Sequence, residues 1–552
     1  MIAVCAPPAA FLFGASAHAV HASSVRDRRV RGIPRVHLRH DTASAAVLAR
    51  VKLSVHWLTT TRGAMYFTHR KATSASRMSL YQFQRRRACA CSAVAIAFSA
   101  CASLPANDGV DGVNRAVATR SDVRATWLRD RAADSVAMSY AANVLHGVVP
   151  VDTAIRVALL RNKRLQATFE DLGIAQADVV QAGLLANPVF SGGSFRAAGG
   201  GTGILQLGLA LPFIDYLQRP SRRGAARQAY AAEQSRVAAA VIALVADVRV
   251  AYAEAQAAEQ MNELRATVLQ ATEASAIAAG ALHDAGNVSD FDLAQQQAMA
   301  ADARLASLTA RAERRARFAE LVRVMGIASD TSWVLTPRLS MPADLLPPVH
   351  VLVPLAHARN LELRAAFESA AAAGRLAGLA NTFALLPDGS IGVGRETDPD
   401  GRFTGATLTV PLPLFDQGQG RVARARAAFR QAVNRHDAFA VEITADVAAL
   451  AARVEAARER ALHLLRTVLP LRAGLVAESQ RFVNAMAQSV FTLLLARQAE
   501  IDAGQAYVEA MRDYWTLRAK LEQAVGGSFH PLTPDEQAAG RVQRPAQSPR
   551  TP

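Results

Sequence analysis

From Asp215 to Gly286 the chain has little punctuation, and apolar residues recur at 3.5-residue spacing. Val237, Val241, Leu244, Val248, Ala251, Ala255 and Ala258 make one such stripe, with Glu, Gln and Arg between them. About 70 residues at 1.5 Å each predict a helix roughly 100 Å long. Segments 152–186 and 289–326 are helical by the same pattern, and laid end to end they equal the long helix. Two shorter helices paired with one long one suit the wall of a tall cylinder. A generic coiled-coil rod fits the helices equally well.

The strand pattern separates the two. In Ile204–Pro212, Leu205, Leu207, Leu209 and Leu211 alternate with Gln206, Gly208, Ala210 and Pro212. In a second segment, Leu408, Val410, Leu412 and Leu414 alternate with Thr407, Thr409, Pro411 and Pro413. A period of two, with one apolar and one small or polar face, marks a membrane β-strand between lipid and lumen. Both segments are near the ~9–11 residues that cross a bilayer when tilted. Their expected partners are Val189–Arg196 and Ser390–Arg395, joined by the Gly- or Asp-rich loops Ala197–Gly203 and Glu396–Thr404. The bland alternative is a half-buried hairpin in a soluble sheet. Only four strands are expected, and membrane barrels begin at about eight. An open sheet edge in lipid is prohibitively costly, so copies of the chain must share a barrel, whether as a dimer or a trimer.

These elements occur twice, about 200 residues apart. Ala158-Leu-Leu-Arg-Asn162 returns as Ala356-His-Ala-Arg-Asn360, and Leu207–Asp215 as Leu408–Asp416. Ala246-Asp-Val248 returns as Ala445-Asp-Val447, Val268-Leu269 as Val468-Leu469, and Ser289-Asp-Phe-Asp-Leu293 as Ser489-Val-Phe-Thr-Leu493. Five matches in one order, drifting by three residues, indicate an internal duplication. Between the copies, Pro337, Pro342, Pro347 and Pro348 forbid a continuous helix.

At 552 residues the chain needs several domains or a repeat architecture. The net charge of +16 raises the question of nucleic acid, but residues 1–100 hold 15 Lys/Arg against two acids, leaving only +3 for the rest. The folded region has no basic footprint, so nucleic acid is excluded as a partner. All four cysteines, Cys5, Cys89, Cys91 and Cys101, also lie at the start, which leaves no disulfide framework or thiolate metal site downstream. Arg85-Arg86-Arg87, the apolar run 92–100 and Cys101 form a secretory signal too short to span a bilayer. Phe98-Ser99-Ala100-Cys101 resembles a lipoprotein box with Cys101 acylated; an ordinary signal with an incidental cysteine is the alternative. The expected division is an upstream extension at 1–77, a signal at 78–101 and an N-terminal periplasmic segment at 102–150. The first repeat follows at 151–326, then a connector at 327–352, the second repeat at 353–526 and, from its prolines, a tail at 527–552 expected to be disordered.

Over about residues 150–526 the chain resembles the outer-membrane efflux (TolC-like) family. The carrying motifs are Ala158-Leu-Leu-Arg-Asn162, Ala182-Gly-Leu-Leu-Ala-Asn-Pro188, Leu412-Pro-Leu-Phe-Asp416, Gly286-Asn-Val-Ser-Asp-Phe-Asp-Leu293 and Val468-Leu-Pro470. Met486 stands where the family generally has Gly. The resemblance implies a mainly α fold with a small membrane β-barrel contribution, built from two tandem helix-strand-strand-helix repeats. Long coiled-coil hairpins would form an α-barrel tunnel, and each protomer would give four strands to a shared twelve-stranded barrel. It also implies a homotrimer in outer-membrane lipid, a periplasmic adaptor and an inner-membrane pump as partners, and passive conduction with no cofactor.

Gly286, Ser289, Asp290, Asp292 and Ser489 fall at the expected periplasmic tips. Ser289 and Ser489 can cap the restarting helices, with Asp292 completing a box-like pair for Ser289. Repeated by three-fold symmetry, Asp290 and Asp292 could instead form a carboxylate ring that attracts cations. Arg222, Arg223, Arg421 and Arg424 follow the strands and read as interfacial anchors. The seven downstream histidines show no ligand spacing, and Gly199-Gly-Gly-Thr-Gly203 lacks the residues of a phosphate loop, so no metal or nucleotide site is expected. No nucleophile–base pair supports an enzyme. The competing assignment is a periplasmic coiled-coil adaptor or scaffold lipoprotein, which would have one hairpin and lipoyl-like β-domains.

Overall fold

The computed structural model describes residues 108–529, apart from 197–198, 201–202, 328–332, 343–345 and 399. The upstream extension, the signal with Cys101 and the tail beyond Phe529 lie outside the described residues. Ahead of the first repeat come α1 (Asp108–Ala118), α2 (Arg131–Val144) and β1 (Gly147–Val149). The first repeat is α3 (Val151–Arg161), α4 (Lys163–Gly183), β2 (Val189–Phe195), β3 (Ile204–Leu211), α5 (Phe213–Asp284) and α6 (Asp290–Met325). The connector carries β4 (Trp333–Leu335). The second repeat is α7 (Val349–Arg359), α8 (Leu361–Thr382), β5 (Ser390–Asp398), β6 (Gly401–Thr409), α9 (Gln419–His463), α10 (Leu469–Asn484) and α11 (Val490–Val525).

The helix α5 runs 72 residues, and all seven members of the Val237–Ala258 stripe are buried. Both α4 and α6 pack on it, and so do α8 and α11 of the second repeat, so the stripe joins the two copies. In the second repeat the long helix is interrupted by a π-helical turn at Leu464–Val468. Pro470, at the start of α10, is the cause: it has no N–H to donate and its ring crowds the carbonyl one turn back, so the backbone widens.

The segment expected as one helix, 152–186, is two. Asn162 splits it and Asn360 does the same in the second copy, which explains why the Ala-x-x-Arg-Asn motif recurs. The Asn162 side chain accepts from the Arg164 and Leu165 N–H groups at 2.9 and 3.1 Å, capping α4. Its Nδ2 donates to the Val324 carbonyl at the end of α6, 2.8 Å away. Asn360 accepts from Leu363 N–H at 2.9 Å and donates to Ala524 O of α11 at 3.0 Å. Each asparagine thus satisfies both ends of a helix junction.

A core sits where these joints meet. Leu159, Phe169, Leu172, Leu321 and Met325 fill it in the first copy, and Leu352, Tyr514, Leu521 and Val525 in the second. Strands β1 and β4 pair in parallel, with Val149 opposite Leu335. Tyr252 of α5 fastens this ribbon, its hydroxyl donating to Val149 O at 2.7 Å and accepting from Thr336 N–H at 3.0 Å. Arg249 of α5 also pairs with Glu522 of α11.

The second sheet is antiparallel in the order β2-β3-β5-β6, with β3 and β5 joining the repeats and β2 and β6 as its edges. Two expectations need correction. Leu408 is in β6, but Val410, Leu412 and Leu414 lie past its end at Thr409. Pro411 and Pro413 carry no N–H, so the ladder loses two donors there and the strand ends before them. The loop expected at Glu396–Thr404 is instead mostly strand, and β5 pairs with β6 up to Asp398 opposite Gly401.

Asn360 is buried, so removing its amide uncaps α8 and strands a carbonyl of α11. Asn360→Ala is expected to destabilise the protein by about 2 kcal/mol, measured as a shift in thermal or denaturant unfolding.

Candidate functional site

Two regions concentrate unusual features: the four-stranded sheet and the tips of the helical hairpins. On one face of the sheet, Phe190 and Leu209 are opposite, followed by Val393 and Ala406; Leu211, Ile391 and Leu408 form the next row. Leu205, Leu207, Leu209 and Leu211 of β3 are all exposed, as are Phe190, Ile391, Val393 and Leu408. The other face carries Ser191, Gln206, Gly208, Gly392 and Thr407. Small residues are required there. A Cβ at Gly392 would lie 2.4 Å from the Leu209 carbonyl, so only glycine lets β5 approach β3 on that side.

From Leu205 to Leu211 the strand is about 20 Å long, whereas a membrane barrel carries an apolar band of roughly 25 Å. The band continues past the sheet at the end facing the helices. Leu184, Leu185, Leu385, Leu412, Leu414 and Phe415 are exposed there, so the residues misplaced as strand still extend the apolar belt.

At the junction below, Arg222 donates to Asp215 Oδ1 at 3.0 Å, and Arg421 lies 3.5 Å from Asp416 Oδ2. The same acid–arginine contact therefore occurs once per repeat. Arg421 ties the segment after β6 to the first turn of α9, whereas Arg222 and Asp215 brace the first turns of α5 itself.

The two tips share one backbone geometry. Gly286 N–H donates to His283 O and Asn287 N–H to Leu282 O, at 2.8 and 2.9 Å. Met486 N–H donates to Val483 O and Ala487 N–H to Phe482 O, both at 2.9 Å. This is the glycine-ended helix stop, with φ of +75° at Gly286 and +57° at Met486. Met486 is thus an L-residue held in the left-handed region, and at 95% exposure it gains no packing in return.

Ser289 caps α6 as expected, accepting from Asp292 N–H at 3.1 Å and donating to Asp292 Oδ2 at 2.7 Å. Ser489 stands just before α11, where its carbonyl accepts from Thr492 N–H at 3.1 Å. A contact across the first tip is not visible in the histidine spacing: His283 Nε2 lies 2.7 Å from Asp290 Oδ1, and Nδ1 lies 3.7 Å from Asp284. Spacing alone hides it, because the pair is seven residues apart around a turn. The hydrogen bond to Asp290 holds the His283 pKa above its usual value, and the charges of Asp290 and Asp284 add to this. The second tip has Val483 and Val490 at the corresponding positions.

With this geometry established, comparisons with known proteins can be placed on it. Residues 154–327 match the model of the outer membrane efflux protein family. No curated protein matches the chain. A membrane protein from Pseudomonas aeruginosa is similar at 20% identity and TM-score 0.60, over 68% of this chain and 92% of its own. The outer membrane protein VceC from Vibrio cholerae is similar at 17% identity and TM-score 0.57, over 69% and 97%. The MtrE outer membrane channel of Neisseria gonorrhoeae, solved in its open state, is similar at 18% identity and TM-score 0.57, over 68% and 89%. The fold is that of outer-membrane channel protomers of this type.

Two outcomes are expected. Met486→Gly should stabilise the second tip by about 1 kcal/mol, seen as slower hydrogen exchange over residues 480–495. At the first tip the His283 pKa is raised on folding. The His283–Asp290 contact therefore contributes fully below the ordinary histidine value of about 6.5 and is lost as pH rises through the higher folded value. A spin label at Ala285→Cys should gain mobility over that rise, and one at Ala485→Cys should not; a step that persists in His283→Gln would contradict this.

Proposed function

Since residues 154–327 belong to the outer membrane efflux protein family, we propose that the chain is one protomer of an outer-membrane exit duct. The observation that carries this is a four-stranded sheet with a leucine face open to its surroundings and two unpaired edge strands. In lipid each unpaired backbone group costs several kcal/mol, so β2 and β6 must find partners. Three copies joined β6 to β2 close a ring of twelve strands, with the leucine face toward lipid and the glycine-rich face toward the lumen. No helix among the described residues is long and apolar enough to cross a membrane. The sheet carries the membrane assignment on its own pattern.

Below the barrel, the hairpins α5–α6 and α9–α11 of three protomers form a twelve-helix tunnel across the periplasm. Its tips, with Gly286–Asp292 in one hairpin and Met486–Ser489 in the other, meet a periplasmic adaptor and, through it, an inner-membrane pump. The pump supplies energy and selects the substrate. The duct opens and closes, and performs no reaction. Asp290 and Asp292 of three protomers ring the mouth; since Asp290 is held by His283 and Asp292 by Ser289, their charge is oriented by the tip itself. Acylation of Cys101 adds a lipid anchor to the barrel.

A periplasmic adaptor or scaffold lipoprotein would have a single coiled-coil hairpin. Two hairpins and a leucine-faced sheet favour the duct.

The protein is expected to fractionate with the outer membrane as a trimer. Leu209→Arg on the lipid face should cost about 2–4 kcal/mol and deplete the trimer, whereas Gln206→Arg on the luminal face should leave its level near wild type. Recovery of the wild type as a soluble monomer, or equal tolerance of both substitutions, would overturn the assignment.

A further inference from the structure

The β5–β6 hairpin sorts its charges by face. Arg395 is opposite Thr404 and Thr397 opposite Arg402, which places both arginines on the leucine face. Glu396 is opposite Phe403 and Asp398 opposite Gly401, which places both acids on the other face. No acid from any of the four strands shares the face of the arginines. Asp398 is also engaged by the turn, its Oδ1 accepting from Asp400 and Gly401 N–H at 3.0 and 2.8 Å. Both arginines are exposed, and among the described residues neither is in an ion pair.

Their height on the sheet is equally telling. Arg395 and Arg402 sit at the hairpin-tip end, level with Leu207 and Leu205 of β3, while Ile391, Val393 and Leu408 of the same face lie toward the helices. A charge is costly at the middle of a bilayer and nearly free at its interface, so this order puts the two arginines at the tip-side edge of the apolar band, from which their long side chains reach headgroup level. Across an antiparallel ladder the two positions are diagonal neighbours, roughly 7–8 Å apart, and long side chains can converge on one group from there. Arginine on a planar fork suits a phosphate.

We propose that Arg395 and Arg402 form a binding site on the lipid-facing wall for a phosphorylated headgroup of the outer leaflet. The proposal rests on the barrel assignment above, which fixes the leucine face as the outer one. The unpaired positive charge then meets an anionic lipid, and the acids on the other face line the exit.

The test uses the purified full chain and its R395Q/R402Q variant. Flotation with uncharged phosphatidylcholine vesicles comes first and reports the barrel alone; both proteins should float. Failure of the wild type to float would count against the barrel assignment itself. Binding of diphosphorylated lipid A is then compared with its dephosphorylated form by native mass spectrometry. The wild type should prefer the phosphorylated lipid by about tenfold or more, and R395Q/R402Q should lose that preference. The charge-conserving R395K/R402K variant should retain most of it, and serves as the decisive comparison if the Gln variant fails to fold. Inorganic phosphate at millimolar concentration should not displace the lipid. A floating wild type without phosphate preference, a Gln variant that keeps it, a Lys variant that loses it, or displacement by inorganic phosphate would each overturn the site.

Discussion

For the proposed barrel, backbone hydrogen bonds in lipid set the terms for the whole molecule. A strand on the rim of an open sheet presents N–H and C=O groups that hydrocarbon cannot satisfy, and this chain has two such strands, β2 and β6. Its sheet is short, has backbones in close approach at Gly392, and is covered with leucine on one side only. Such a sheet is a fraction of a barrel. In the proposed duct, assembly is therefore part of folding for this region, and the helical hairpins below inherit the same rotational symmetry.

Duplication supplies the means. Each repeat uses an asparagine to cap one helix and hold the end of another, Asn162 with Val324 and Asn360 with Ala524. Each uses an acid–arginine contact at the strand exit, Asp215 with Arg222 and Asp416 with Arg421. Where the copies diverge is at the tips. One closes with glycine and a His283–Asp290 contact, the other with a strained Met486 and valines. Joints that fix the architecture recur, while the ends available to partners differ.

Much of the fold was legible from hydrophobic spacing. The Val237–Ala258 stripe, β3, and the serine cap at α6 follow from periodicity and short-range chemistry, because each depends on residues close in sequence. Val410, Leu412 and Leu414 look like strand in the sequence because side-chain alternation says nothing of the missing N–H groups at Pro411 and Pro413. The break at Asn162 was hidden because an apolar stripe continues through it, and the decisive bonds reach to Val324, far along the chain. The His283–Asp290 contact and the charge-sorted faces of β5 and β6 depend on turn geometry and register, which only the folded chain displays.

The described residues contain no cysteine, so single cysteines can be placed along β3 without interference. With the protein in sealed vesicles, a membrane-impermeant thiol reagent entering through the pore should label cysteines at positions 206, 208 and 210. Those at 205, 207 and 209 should stay protected by lipid. Equal labelling at all six positions would mean that the leucine face meets water, and the shared barrel would have to be abandoned.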